Sequence, residues 1–445
     1  MNSVITAVSG GGIKIPLTAD MLTKHTLYIG STGSGKTTSM NVLLRDLIKY
    51  GANDKSKKMG LLIFDFKGDD TLYKVKLWAK ECGRSRDVID FSLNGKFYFD
   101  PMANIKSITE VGSLAEMIIS IRPPKGDLSN YWEYSLTKRI KTAIFYMLLS
   151  GETASFAAFA KLMRKFCNSD IRDWERTLRE IKQQASDCDC VDDAIDKTIS
   201  LIHEWAILDL RTKSNELSTL TNLTDAFDSP PANNFFTPGR DKKALDIGDV
   251  LKGKIVVVTI PSATNRNLAG AIGKMCKAQF YSHLQNRKQN DNNRLCAIIM
   301  DEFQLCATGG DDIASDAYNM QTIRSKRGFV VAATQGLIGL DIAIGESERE
   351  LLMANFNNFF LFRSNEPEVA QMAENMRGRC CRRQIGFLAP TRETAEEILA
   401  EPENLPTGYA FVKLANGFRT NGAIELECLY TTPPARPNAK IRMPR

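Results

Sequence analysis

Eight consecutive residues, Gly30-Ser31-Thr32-Gly33-Ser34-Gly35-Lys36-Thr37, fit the pattern G-x-x-x-x-G-K-[ST]. In that pattern backbone N–H groups surround phosphate oxygens, the lysine reaches the β and γ oxygens, and the final hydroxyl holds Mg²⁺. Glycine is required because a Cβ would meet the phosphate and because the turn uses positive φ. A second set of residues could act on what such a loop binds. The apolar run Leu295-Cys296-Ala297-Ile298-Ile299-Met300 ends in Asp301-Glu302. One carboxylate, Asp301, can hold a metal through its water shell, and the other, Glu302, can polarise an attacking water. A third run, residues 329–334, ends at Gln335. A neutral amide there can touch both a γ-phosphate and the lytic water, or alternatively cap the helix that follows. Gly30, Ser31, Thr32, Gly33, Ser34, Gly35, Lys36, Thr37 and Thr38 are therefore the candidate nucleotide-binding residues. Lys36, Asp301, Glu302 and Gln335 are the candidates for chemistry, with Thr37 and Asp301 as the metal holders.

These side chains can cooperate only if strands and helices carry them to one place. Thr26-Leu27-Tyr28-Ile29 reads as a buried strand leading into the loop. From Thr38 onward Met40, Leu43, Leu44, Leu47 and Ile48 recur at helical spacing until Gly51. A helix starting there turns the positive end of its dipole toward the phosphates. Residues 60–66 form a second buried strand, whose far edge carries Asp65 and Lys67, and in doubly wound sheets ligands sit at that edge. Leu72, Val75, Trp78 and Cys82 mark a helical face, and short strands are expected at 87–91 and 97–99.

The alternation of strands and helices over 1–104 predicts an α/β unit with a mostly parallel sheet. Over 105–227 the period changes to three or four, as in Leu136, Ile140, Ile144 and Met147 or Phe156, Phe159, Met163 and Phe166, which predicts an all-α insertion. Within it 170–184 is a charged helix and 191–210 an amphipathic one, while 229–234 is a loop by its Ser, Pro and Asn content. The α/β pattern resumes over 228–430, with a central strand at 254–261 and a long helix at 267–287. Strands follow at 296–300, 329–333 and 359–362, a helix at 369–376, and strands at 409–413 and 424–429. The last segment, 431–445, holds four prolines among Arg436, Lys440, Arg442 and Arg445, and reads as a mobile basic tail.

With 43% hydrophobic and 25% charged residues the chain is globular rather than disordered. A net charge of +6 over 445 residues is mild, so contact with nucleic acid has to come from local clusters. The densest is Arg377-Gly378-Arg379-Cys380-Cys381-Arg382-Arg383-Gln384, which can grip phosphates or stand as a solvated loop. In that setting Cys380 and Cys381 would have lowered thiol pKa values. No run approaches the ~18 apolar residues of a membrane span, and no secretory signal is visible at the start, so the reading is a cytoplasmic protein. Ten cysteines without repeated C-x-x-C spacing and three histidines not spaced as zinc partners point to reduced thiols. Cys188-Asp189-Cys190 is too tight to read as a zinc site.

Residues 29–37, the block Phe64-Asp65-Phe66-Lys67-Gly68-Asp69, Asp301-Glu302, and Arg324-Ser325-Lys326-Arg327-Gly328 leading to Ala333-Thr334-Gln335 together resemble one family. They look like the type IV secretion coupling proteins of the TraD/TraG kind, in the FtsK/HerA branch of RecA-like motors. Tyr131-Trp132, opening a helix inside the insertion, is similar to that family too, and the likeness runs over about 4–431. The resemblance implies a RecA-like P-loop NTPase domain interrupted by an all-α domain, assembled as a homo-hexamer that hydrolyses ATP with Mg²⁺ between neighbours. It implies a motor that pumps DNA, single- or double-stranded, as a relaxase–strand complex toward a secretion channel at the inner membrane. Such rings complete the site with an arginine from the adjacent subunit. Arg363, after Asn358-Phe359-Phe360-Leu361-Phe362, matches the family's position for that role, with Arg324 and Arg327 as alternatives. The family usually begins with a membrane anchor, and none is read here. Other readings are a HerA-like translocase paired with a nuclease, a pump for protein substrates, and a nucleotide-dependent assembly scaffold.

Overall fold

A computed structural model describes residues 4–10, 13–68, 70–102, 111–120, 130–150, 155–168, 171–184, 189–228, 233–263, 265–290, 292–310, 314–377, 402–420 and 422–429. The basic cluster beyond Arg377, with Cys380 and Cys381, lies outside the described residues, as do Asp69, Cys188 and the segment 431–445.

The strands are β1 (Val4–Gly10), β2 (Ile13–Thr18), β3 (Thr26–Ile29), β4 (Gly60–Asp65), β5 (Val88–Ser92), β6 (Phe97–Tyr98), β7 (Lys243–Ala244), β8 (Ile255–Thr259), β9 (Cys296–Met300), β10 (Gly328–Thr334), β11 (Asn358–Leu361), β12 (Tyr409–Lys413) and β13 (Ile424–Glu425). The helices are α1 (Ala19–Leu22), α2 (Lys36–Lys49), α3 (Thr71–Glu81), α4 (Val111–Ser120), α5 (Asn130–Leu149), α6 (Phe156–Asn168), α7 (Ile171–Gln184), α8 (Asp189–Ala206), α9 (Leu210–Asp228), α10 (Asn233–Phe236), α11 (Arg266–Gln285), α12 (Asp316–Ile323), α13 (Ile338–Ile344), α14 (Glu346–Met353) and α15 (Pro367–Arg377).

Nine strands form one sheet in the order β13-β12-β11-β3-β10-β9-β4-β8-β5. From β11 to β5 every neighbour is parallel, and only β12 and β13 run antiparallel at one edge. Inner parallel strands are covered on both faces and so read as unbroken apolar runs. In β4 every residue is buried, with Leu62 and Phe64 turned into one core and Leu61 and Ile63 into the other. Helices α2 and α3 and the β1–β2 hairpin cover the second face through Leu43, Leu47, Trp78 and Leu17. Helix α11 covers the first, and α4–α9 add Ile118, Ile140, Phe159 and Ile202 to that same continuous core.

Several boundaries differ from the sequence expectation, each for a local reason. The helix expected over 191–210 ends at Ala206, because Asp209 accepts the Thr212 N–H at 2.9 Å and caps a new helix, α9. Of the expected loop 229–234, Asn233 and Asn234 instead open the one-turn helix α10, and the rest lies outside the described residues. The strand expected over 424–429 stops at Glu425, since Leu426 and Leu429 donate to Gly408 and Thr38 rather than continuing the ladder. The strand expected at the centre, β8, is second from the edge.

A buried histidine locks the loop strand to its neighbours. His25, just before β3, donates from Nε2 to the Met320 carbonyl at 2.9 Å and accepts the Val330 N–H on Nδ1 at 3.1 Å. Burial lowers its pKa to about 4, so the ring is neutral in the fold. The unfolded chain therefore binds this proton more readily, and stability falls as pH drops from the ordinary histidine value toward about 4. Between pH 7 and 5 wild type should lose about 1–2 kcal/mol through this residue. Urea unfolding at the two pH values checks this, with His25→Gln expected to lose less over the same interval.

Candidate active site

The loop, the two carboxylates and the amide meet because β3, β10 and β9 are adjacent and parallel. Ile29 pairs with Thr334, and Met300 with Ala332, so all three strands deliver their carboxyl ends to one edge. There the loop 30–35 leads into α2, whose first residue is Lys36, two positions earlier than the apolar periodicity suggested. Gly35 has φ 102°, and a Cβ on it would lie 2.8 Å from the Gly408 nitrogen, so glycine is required both by conformation and by space.

Lys36 donates to the carbonyls of Gly30 at 2.5 Å and Ser31 at 2.9 Å. Burial is the main cause that lowers its pKa to about 8; the Asp301 charge acts in the opposite sense. Thr37 Oγ1 donates to Asp301 Oδ2 at 2.9 Å, joining the loop helix to the end of β9. Lys67, beyond the end of β4, donates to the same Asp301 oxygen at 2.6 Å and to Thr37 Oγ1 at 3.1 Å.

Glu302 takes φ 58°, a left-handed conformation uncommon for a residue with a side chain, and its N–H is held by Asp301 Oδ1 at 3.0 Å. That turn redirects the chain as it leaves β9. Gln335 Nε2 then donates to Glu302 Oε1 at 3.4 Å from the end of β10. The Thr334 hydroxyl donates to the Gly336 carbonyl at 2.8 Å, with Gln304 Oε1 3.2 Å away, and so anchors the strand end beneath Gln335. An open cleft of about 310 Å³ is lined by Lys36, Thr37, Lys67, Asp301, Glu302 and Gln335 together with loop residues. A hydroxyl and a carboxylate 2.9 Å apart are hard oxygen donors of the kind Mg²⁺ takes, and the Lys67 ammonium seated on both shows that the pair accommodates a cation.

Arg363 stands apart from this lining. It follows β11, on the side of β3 opposite β10, and its carbonyl accepts the Ser31 N–H at 2.7 Å. Arg324 and Arg327 precede β10 and so lie at the amino end of the sheet, where Arg324 reaches Asp20 at 3.5 Å.

Three hydrogen bonds around the cleft left no pattern in the sequence. Glu366 accepts the Leu337 N–H at 2.6 Å, and a Cβ on Gly336 would lie 1.9 Å from its carboxylate, so it braces the turn that carries Gln335. On the other flank Thr407 donates to the Gly33 carbonyl at 3.1 Å and Gly408 to the Ser34 carbonyl at 2.9 Å. Both reach across sequence separations that no local motif spans. Lys67 was visible as a strand-edge residue, but its role as a bridge was not.

A glycine-rich turn between a strand and a helix, with carboxylates and an amide on the next parallel strands, defines the RecA-like P-loop nucleoside triphosphatase fold. The family model "Helicase HerA, central domain" matches residues 4–94, from the first hairpin through the loop to β5. Comparison with curated proteins finds no match. Among solved structures the chain is similar to the bacterial conjugative coupling protein TrwB in its unbound monoclinic form, at 15% identity and a TM-score of 0.59 over 96% of this chain and 90% of that one. It is similar also to the plasmid coupling protein TrwB in complex with ADP and Mg²⁺, at 16% identity and a TM-score of 0.60 over 97% and 90%. VirB4 of Thermoanaerobacter pseudethanolicus aligns at 12% identity and a TM-score of 0.54 over 96% and 98%. At these identities the likeness is one of fold, and it extends over nearly the whole chain.

The brace under Gln335 is open to test. Glu366→Ala leaves the buried Leu337 N–H without its partner and should cost about 1–3 kcal/mol of stability. Urea unfolding of the variant checks the value.

Proposed function

We propose that the chain is an ATP-driven motor that translocates DNA, a coupling protein delivering a relaxase–strand complex to a type IV secretion channel. The observation that carries this reading is the bond from Thr37 to Asp301, with Glu302 and Gln335 facing the same cleft. The N–H groups of the loop and the Lys36 ammonium hold the triphosphate. Thr37 and Asp301 would hold Mg²⁺, which would supply positive charge against the phosphate oxygens. Glu302 draws the proton from an attacking water, and Gln335, bonded to Glu302, carries the state of the site into the strand end and the turn beyond it. Arg363 reaches the site of the next copy in a ring of six.

The fold shared with TrwB over most of its length supports the coupling role, and the HerA match supports the motor branch. On this reading 105–227 is an all-α insertion in a nucleotide-binding unit made of 1–104 and 228–430. Among the described residues no helix is long and apolar enough to cross a membrane.

Glu302→Gln should lower ATP hydrolysis by roughly a hundredfold or more while leaving ATP binding intact. Wild-type hydrolysis should rise on adding DNA and lose that rise as salt increases. A rate unmoved by single- or double-stranded DNA at every salt concentration would count against DNA as the track. For the arginine, mixing Arg363→Ala protein with Glu302→Gln protein should recover part of the lost activity at mixed interfaces. Absence of recovery at every ratio would remove Arg363 from the role.

A further inference from the structure

The ammonium of Lys67 sits on the two oxygens that, on the reading above, hold the divalent cation. It lies 2.6 Å from Asp301 Oδ2 and 3.1 Å from Thr37 Oγ1, while the Thr37 hydroxyl donates to Asp301 at 2.9 Å. The hydroxyl thus accepts from one partner and donates to the other, and the three groups close a triangle. A compact ammonium with three donors is a reasonable replacement for a small hydrated cation at such a pair. It cannot share the pair with a divalent ion, because two positive centres would then stand within bonding distance of the same oxygens.

The backbone under Lys67 is fixed while its side chain has a way out. Phe66 is buried and stacks on Phe64 at 5.3 Å, and its carbonyl accepts the Ser262 N–H at 2.7 Å. Gly68 donates to Asp65 Oδ1 at 3.0 Å, and a Cβ on it would lie 2.4 Å from Pro261 Cγ, so the turn is packed against Pro261. The Lys67 side chain, by contrast, is 34% exposed beside the open cleft. Rotation about its four-carbon stem can lift the ammonium off the pair without moving the strand.

We propose that Lys67 is a tethered stand-in for the divalent cation. It holds Thr37 and Asp301 in their liganding arrangement and keeps free divalent ions out. It yields only to a cation that arrives with phosphate oxygens and so brings ligands of its own. This rests on the assignment of Thr37 and Asp301 as the metal holders.

The test uses the full chain without nucleotide and follows Mn²⁺ binding by the loss of its free-ion paramagnetic resonance signal. Removing the competing charge in Lys67→Met, or in the polar variant Lys67→Gln, should tighten Mn²⁺ binding by roughly tenfold or more. Lys67→Arg keeps the charge and should stay near wild type. Adding Asp301→Asn to Lys67→Met should remove the gain. Mn²⁺ affinity in folded Lys67→Met and Lys67→Gln within roughly twofold of wild type would overturn the proposal, as would a gain that survives Asp301→Asn. Since no nucleotide is present, failure here leaves the ATPase reading standing, and failure to hydrolyse ATP leaves this result to be judged by itself.

Discussion

Three parallel strands ending at one edge are the constraint on which the remaining structure depends. The pairings of Ile29 with Thr334 and of Ala332 with Met300 leave no freedom in where the phosphate loop, Gln335 and Asp301 emerge. A slip of one residue would swap each strand's side chains between the two buried cores, so the close packing of both cores, rather than an apolar–polar alternation, holds the register. The bond between Thr37 and Asp301 joins residues 264 positions apart and is possible only because that register is met.

Charge in the cleft is arranged in opposition. Lys36 and Lys67 face Asp301 and Glu302 within one open cavity, and partial burial makes each lone charge expensive. The chain answers by local bonding: Lys36 to loop carbonyls, Lys67 to Asp301, and the Glu302 N–H to Asp301 Oδ1. The left-handed backbone at Glu302 is the strained element of this arrangement. Non-glycine residues in that region persist where the surroundings over-determine them, and here β9 on one side and the Asp301 carboxylate on the other do so.

Much of this was legible in the residues. The loop sequence, the apolar run before Asp301 and the β-rich run before Gln335 each carried a strand or helix assignment, and the sheet brought those residues to one cleft. What the residues could not show was contact at long separation. Glu366 under the Gln335 turn, and Thr407 and Gly408 against the loop, are ordinary residues in ordinary segments until the sheet is assembled. Boundaries failed where one side chain outweighed periodicity, as Asp209 did by capping α9 inside a run that read as continuous helix. Arg363 was identified from resemblance alone, and its place beside Ser31 gives it no part in the cleft of its own chain.

The clasp made by Thr407 and Gly408 bears on how the molecule is made as well as how it stands. The turn at Gly408 packs against Gly35, Gly33 and Ser34 are bonded to the same turn, and Leu429 closes on Thr38. The phosphate-binding end of the molecule leaves the ribosome early, yet these ties arrive only with nearly the last described strand. A nascent chain halted before Thr407 has the loop in place without these bonds.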